Sequence, residues 1–114
     1  MTYSIVGPDM TQLQGTLEAL KKRFKPGSYE ETVTYYLSLG DGEGEKWTLT
    51  VTPEACHLIP GKIEVADCVL KTSSELFMKL VDGSWKPDAR DFMLGKIKTS
   101  DVLLLRRLQE AFGL

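Results

Sequence analysis

From about residue 9 to residue 24, apolar side chains recur every three or four positions, which is the spacing of a helix with one buried stripe. Asp9 or Thr11 can cap the start of this helix, and Pro26-Gly27 ends it. The stripe consists of Leu13, Leu17, Leu20 and Phe24. The pattern therefore predicts a first helix that packs along one narrow edge.

Beyond residue 32 the spacing of apolar side chains changes to every second position, which indicates strands with one buried face. Two such segments, 32–39 and 47–52, are joined by a glycine-rich turn at 40–44 and predict an antiparallel hairpin. Further strands are predicted at 55–59 and 63–71, on either side of a Pro-Gly pair.

The second half of the chain predicts two helices separated by a strand. The sequence Thr72-Ser73-Ser74-Glu75 has the form of a capping box and predicts a short helix that Asp82-Gly83 closes. Residues 85–91 are expected to be irregular or a single turn, with a fifth strand at 92–98 and a last helix at about 100–112. This order predicts an α+β fold in which a mainly antiparallel sheet of about five strands carries helices on one face.

The length and charge of the chain narrow the possible partners. With 114 residues the chain fits a single domain, 1–114, and its 16 acidic and 14 basic residues give a net charge of −2. The densest basic cluster is Lys21-Lys22-Arg23 with Lys25, at a predicted helix end where the helix dipole favours cations. We therefore expect no nucleic-acid partner, whereas a transient contact with an anionic membrane surface stays possible.

The lack of a recognisable targeting signal favours the cytoplasm. No stretch reaches the roughly 18–20 apolar residues that cross a bilayer. Residues 1–8 lack a basic region followed by an apolar run, so no signal peptide is expected. Cys56 and Cys68 without such a signal fit a reducing compartment, and Phe112-Gly113-Leu114 is not a peroxisomal address.

His57 is the only histidine, so any catalyst that needs an imidazole base would have to use it. Its neighbour Cys56 points to the opposite face of a strand, because side chains alternate. Cys56 and Cys68, twelve residues apart, match no zinc-binding pattern. We expect no enzyme, metal or cofactor, and the alternative is an enzyme that pairs Cys68 or Cys56 with His57.

The last predicted helix has more apolar residues than one buried face requires. Val102 and Leu103 lie outside its apolar sector, beside Arg106 and Arg107. Three explanations remain open: a first turn buried by the fold, the lip of a lipid cavity, or a contact between subunits.

Three motifs, in order along the chain, resemble those of the sterol carrier protein type 2 domains. The first resembles a strand that precedes a short helix, the second resembles that helix and its Gly-to-Pro exit, and the third resembles a later strand. They are Ala66-Asp67-Cys68-Val69-Leu70-Lys71-Thr72-Ser73, then Glu75-Leu76-Phe77-Met78-Lys79-Leu80 with Gly83 and Pro87, and Phe92-Met93-Leu94-Gly95-Lys96-Ile97-Lys98. The resemblance covers about residues 29–112 and is strongest over 66–108.

The resemblance implies a five-stranded sheet and helices that enclose an apolar cavity for a fatty acid, fatty acyl-CoA, sterol-like molecule or phospholipid, without a catalytic residue. The partner is then a small hydrophobic ligand, and a homodimer is possible. Inward-facing positions of the pattern nominate the cavity wall as Tyr35, Leu49, Val51, Cys68, Leu70, Phe77, Leu80, Trp85, Phe92, Ile97, Leu104, Leu105, Leu108 and Phe112. The alternative is a small interaction or assembly subunit on the same fold, with its cavity filled by side chains.

Overall fold

The structure is a computed structural model that describes residues 7–40, 45–63 and 65–114. These residues form four helices, α1 Gly7–Lys22, α2 Ser74–Asp82, α3 Ala89–Met93 and α4 Val102–Phe112. They also form five strands, β1 Val33–Ser38, β2 Lys46–Val51, β3 Cys56–Pro60, β4 Cys68–Thr72 and β5 Ile97–Thr99. Most of the predicted hairpin turn, residues 41–44, lies outside the described residues.

The five strands form one sheet in the order β3-β2-β1-β4-β5. The predicted β1–β2 hairpin is confirmed, and β2–β3 and β4–β5 are antiparallel as well. Strand β1 pairs with β4 in parallel, with Tyr35 opposite Cys68, so the sheet is mixed rather than wholly antiparallel. The predicted α+β class is therefore confirmed, with one parallel pair at its centre.

The connection from β3 to β4 passes over the face of the sheet that points away from the helices. Thr48 Oγ1 donates a hydrogen bond to the carbonyl of Gly61 over 2.8 Å, and Lys62 Nζ lies 5.3 Å from the centre of the Tyr36 ring. Parallel strands need such a crossover because the chain must return to the end of the sheet at which the earlier strand began. The predicted strand at 63–71 is therefore wrong in its first part, and β4 begins at Cys68.

The predicted strand at 92–98 is also wrong in its first part, because α3 includes Phe92 and Met93. Asp88 and Asp91 form a reciprocal capping box, in which the side chain of each accepts a hydrogen bond from the backbone N–H of the other. This box starts a helical turn within the segment 85–91, which was predicted to be irregular or a single turn, and the helix continues into Phe92 and Met93. The strand is reduced to the three residues of β5.

The predicted capping box of α2 is replaced by a simpler cap one residue later. Ser73 is the N-cap, and its hydroxyl accepts a hydrogen bond from the backbone N–H of Leu76 over 3.1 Å. Thr72 instead belongs to β4, where its hydroxyl donates to the carbonyl of Lys96 over 2.7 Å. The helix itself is confirmed, and Gly83 ends it in the left-handed conformation.

The core lies between the helices and one face of the sheet. Alternate residues of β1 point into it, and the predicted stripe of α1 contributes Leu13, Leu17 and Leu20, each at most 2% exposed. Helix α1 ends at Lys22, before Phe24, which packs against the core beyond the helix. Within the described residues, no helix is long and apolar enough to cross a membrane.

Candidate functional site

Most of the residues nominated as a cavity wall lie in the core. Eleven of the fourteen are buried side chains of one continuous apolar cluster, and the other three, Trp85, Phe92 and Leu104, are partly buried against it. The eleven are Tyr35, Leu49, Val51, Cys68, Leu70, Phe77, Leu80, Ile97, Leu105, Leu108 and Phe112. Their burial follows from the period of the sequence, while their role as a ligand wall stays a prediction.

A groove between α3 and α4 has the character of a binding site. It has a volume of about 470 Å³, within the range of roughly 300–1,000 Å³ typical of small-molecule sites. Two of the nominated residues, Phe92 and Leu105, line it. The full lining is Pro87, Asp88, Ala89, Phe92, Val102, Leu105, Arg106 and Gln109.

The groove has an apolar wall and a polar rim. Phe92, Val102 and Leu105 supply apolar surface from both sides, because α3 and α4 contribute facing residues. Arg106 and Gln109 follow one helical turn further along α4 and can bind an anionic or polar group. The carboxylate of Asp88 already accepts a hydrogen bond from the Asp91 amide in the capping box. The groove therefore suits an apolar chain with an anionic or polar end.

The first turn of α4 is exposed, so the explanation that the fold buries it is wrong. Leu103 is 74% exposed and Val102 is 52% exposed. Val102 lines the groove, which places it at the lip of an apolar site rather than in the core. Leu103 does not line the groove, so a substitution there can serve as a control for the same substitution at Val102.

Two buried phenols tie α4 to the sheet beneath the groove. The Tyr35 hydroxyl donates a hydrogen bond to the Leu104 carbonyl over 2.7 Å, and the Tyr29 hydroxyl lies 2.8 Å from that of Tyr35. Since the single proton of Tyr35 is used on Leu104, Tyr29 must be the donor to Tyr35. The guanidinium carbon of Arg107 lies 5.7 Å from the centre of the Tyr29 ring.

Both phenols are held in the neutral state. Burial raises the pKa of Tyr35 well above its ordinary value, and the hydrogen bond with Tyr29 raises it further. Burial also raises the pKa of Tyr29. The pair therefore serves as a structural tie between β1 and α4 rather than as an acid or base near neutral pH.

The sulfur and imidazole groups do not form a nucleophile and base. Cys56 and His57 lie on opposite faces of β3, where they pair with Val51 and Thr50, and His57 is exposed. Burial raises the pKa of the Cys56 thiol, which disfavours the reactive thiolate.

The second thiol, Cys68, is buried against β5 and the start of α4. Its sulfur lies 3.2 Å from Thr99 Oγ1 and 3.6 Å from the Asp101 carbonyl. Within the described residues, no group of three His, Cys, Asp or Glu side chains is placed to hold a metal ion.

Sequence reasoning missed most of the groove lining. Five of its residues were not nominated, because polar and small side chains carry no burial pattern. They are Pro87, Asp88, Ala89, Arg106 and Gln109. The signal available in the sequence was Val102 and Leu103, which lie outside the apolar sector of α4. This pair marks the lip of the groove but not the wall that faces it. The facing wall depends on α3, whose residues the pattern divided between an irregular or single-turn segment at 85–91 and a strand at 92–98.

Comparison with solved structures identifies the fold. The palmitated SCP2L2 protein of Aedes aegypti aligns with a TM-score of 0.65 at 17% identity, over 89% of this chain and 94% of that chain. The sterol carrier protein domain 2 of Helicoverpa armigera aligns with a TM-score of 0.61 at 16% identity, over 100% and 96%. The methyltransferase MycE of mycinamycin biosynthesis aligns with a TM-score of 0.58 at 12% identity, over 92% of this chain but 31% of that one.

Sequence comparison identifies the family. A search of curated protein sequences gives no match. A family profile for SCP-2 sterol transfer proteins matches residues 11–112, which is nearly the whole chain and includes the three motifs noted above. The chain therefore belongs to the SCP-2 sterol transfer family.

Proposed function

We propose that this protein binds and transfers a lipid that has an apolar chain and a polar or anionic end, and that it catalyses no reaction. The groove between α3 and α4 carries the proposal, because it combines apolar walls with Arg106 and Gln109 at its rim. Family membership supports lipid binding or transfer in general. The lipid classes to compare are a fatty acid, a fatty acyl-CoA, a sterol-like molecule and a phospholipid.

The energetics of an acyl chain fit a groove of this kind. Each buried methylene group yields about 0.8 kcal/mol, and the chain must bury enough of them to offset the freedom lost on association as well. We expect a long-chain fatty acid to bind through its chain, with Arg106 selecting the carboxylate end. The likeness to the palmitated SCP2L2 of Aedes aegypti makes a fatty acid the first ligand to test.

The proposal extends to the interior if α4 acts as a lid. The nominated core residues adjoin the groove at Leu105, so a chain longer than the groove would enter the core once α4 shifts away from the sheet. The bond from Tyr35 to Leu104 would then break, because it spans the moving boundary. The proposed compartment is the cytoplasm, in keeping with the unpaired thiols of Cys56 and Cys68.

Organic extraction followed by mass spectrometry should release a lipid from the purified protein, and a fluorescent fatty acid should bind to the delipidated protein at micromolar concentration. Val102→Asp should weaken this binding at least about tenfold, since a charge at the lip must be desolvated. Leu103→Asp is the matched control, because Leu103 is more exposed and outside the groove. Absence of both extracted lipid and fatty-acid binding would refute the proposal.

A second candidate function is that of an interaction or assembly subunit. The continuous packing of eleven nominated wall residues favours it, because a filled core leaves less room for a ligand. A lipid-free protein that self-associates with increasing concentration, measured by sedimentation, would favour this candidate over the first.

A further inference from the structure

The end of α3 and the residue that follows it expose two large apolar side chains on a hydrogen-bonded backbone. Met93 is 85% exposed, more than any other large apolar side chain described, and Leu94 is 64% exposed. The backbone N–H of Leu94 donates to the Arg90 carbonyl over 2.9 Å, and that of Gly95 to the Phe92 carbonyl over 3.1 Å. The fold therefore holds this apolar tip out into solvent.

A pocket that borders the turn after Leu94 is lined by three lysines. Lys71, Lys96 and Lys98 line this concave pocket of about 300 Å³, which Gly95 joins to the turn. A β-carbon placed on Gly95 would lie 3.6 Å from Cε of Lys98, so the Lys98 side chain lies against the turn. We call Met93 and Leu94 together with these three lysines the tip surface.

The lysines are placed at some cost to the sheet. Lys71 and Lys98 are directly opposite each other in the antiparallel β4–β5 pair, an arrangement in which like charges repel. Within the described residues neither makes an ion pair, while Lys96 lies 3.9 Å from the Asp91 carboxylate. The carboxylate of Glu45, which accepts a hydrogen bond from Ser74, lies beside Gly40, a residue in the lining of the same pocket.

The wider neighbourhood is cationic in an acidic protein. Residues 86–107 hold six Lys and Arg against three Asp, whereas the whole chain has a net charge of −2. All three carboxylates, of Asp88, Asp91 and Asp101, accept hydrogen bonds from backbone amides at helix starts. Six cations against three carboxylates leave this segment with a net positive charge, which an anionic partner complements.

We propose that the tip surface docks this protein on an anionic lipid bilayer. Met93 and Leu94 enter the boundary between headgroups and acyl chains, while Lys71, Lys96 and Lys98 contact phosphate and carboxylate headgroups. A protein partner fits less well, because stable interfaces use about 20–30 residues a side and are depleted in lysine. The inference rests on the proposed function and adds to it the end of the molecule that meets the membrane.

The position of the tip surface suits lipid delivery. Helix α3 contributes Phe92 to the groove and Met93 to the tip, as neighbouring residues of one helical turn. A bilayer in contact with Met93 therefore lies beside the groove, and a lipid can move between them over a short path. The basic cluster at the end of α1 belongs to a different helix and gives the natural comparison.

Co-sedimentation of the 114-residue chain with vesicles tests the surface. Wild-type protein should bind vesicles of phosphatidylcholine with phosphatidylserine, bind far less to phosphatidylcholine alone, and be released by added salt. The triple variant Lys71→Gln, Lys96→Gln, Lys98→Gln should lose at least about tenfold in partitioning, and so should Met93→Ser with Leu94→Ser. Circular dichroism melts check that each variant is folded.

The matched control removes the same charge from the other basic cluster, with Lys21→Gln, Lys22→Gln and Lys25→Gln. This control should keep most of the vesicle binding. Equal loss in the control, equal binding to both vesicle compositions, or no binding at all would overturn the proposal. A wild-type dimer that becomes a monomer in the Met93→Ser, Leu94→Ser variant would also overturn it, since a second copy would then be the occupant.

Fatty-acid titration without vesicles separates this inference from the function on which it rests. The lysine and tip variants should bind the fluorescent fatty acid with unchanged affinity, because none of the substituted residues lines the groove. Normal fatty-acid binding with no vesicle binding in the wild type would overturn the docking surface alone. Loss of fatty-acid binding in the wild type would instead refute the proposed function.

Discussion

The interior of the molecule and its α3–α4 end contain the same kinds of apolar side chain in opposite surroundings. In the interior, Leu70 and Phe112 are fully buried. At the α3–α4 end, Met93 and Leu103 are mostly exposed, although both lie in helices. In the interior, burial follows the hydrophobic period of the sequence. At the α3–α4 end, apolar side chains that depart from this period are exposed.

The largest expected effect is in the interior, where Leu70→Ala should lower the free energy of unfolding by about 2–5 kcal/mol. Leu70 is fully buried in β4, so its truncation removes packing on all sides. Leu94→Ala, at the exposed end, should change it by less than about 0.5 kcal/mol. Urea titrations measure both, and a cost below about 1 kcal/mol for Leu70→Ala would indicate an open space beneath it.

The second-largest effect is expected from Tyr35→Phe, because this substitution leaves the Leu104 carbonyl without its hydrogen-bond donor and the Tyr29 hydroxyl without its acceptor. We expect a loss of about 1–3 kcal/mol in the free energy of unfolding. Tyr36→Phe is the matched control on the outer face of the same strand, and its cost should be under about 0.5 kcal/mol. Equal losses in the two variants would contradict the structural role of the phenol pair.

Alkaline pH should weaken the same tie without any substitution. The pKa of Tyr35 is raised by burial in the folded protein, so its stabilising effect is fully present below about pH 10 and declines as the pH rises further. In the unfolded chain the phenol ionises near its ordinary value, which favours unfolding above that pH. Urea midpoints from pH 8 to 11 should fall less steeply in the Tyr29→Phe, Tyr35→Phe double variant than in the wild type.

The smallest effect is expected at the start of α4, where Asp101 caps the helix that forms one side of the groove. Its carboxylate accepts a hydrogen bond from the Leu104 amide over 3.1 Å, and Asp101→Ala should lower stability by about 1 kcal/mol. Asp101→Asn should retain most of the stability, because an amide oxygen caps nearly as well. A melting temperature lowered equally by both substitutions would point to the charge rather than to the cap.

Much of the fold could be predicted from the sequence because periodicity determines which side of an element is buried. The hairpin, helices α1, α2 and α4, and the burial of Tyr35 and Leu108 follow from spacings of two or of three and four residues. The start of β4 could not be predicted in this way. The segment before Cys68 has strand-like composition in part, but Gly61 and Lys62 lie against the outer face of the sheet, and the chain then enters β4, which is parallel to β1.

The groove was less predictable than the core because it depends on a tertiary arrangement. It forms where residues 87–92 meet residues 102–109, and this requires β5 to be only three residues long. A reciprocal bond between Asp88 and Asp91 decides that length, and in a sequence two acids beside a turn give the same pattern as ordinary solvated charges. The family resemblance predicted an apolar site, but it did not indicate these residues.

The short edge strand β5 has a consequence for how the molecule opens. Three residues at the border of a sheet give few hydrogen bonds, so β5 and α3 should separate from β4 at lower free energy than is needed to unfold the β1–β2–β3 meander. Native-state hydrogen exchange should then show amides of Ile97–Thr99 exchanging well before those of Val33–Ser38. Under the proposed function, such partial openings give a lipid access to the α3 side of the groove while the β1–β2–β3 meander stays intact.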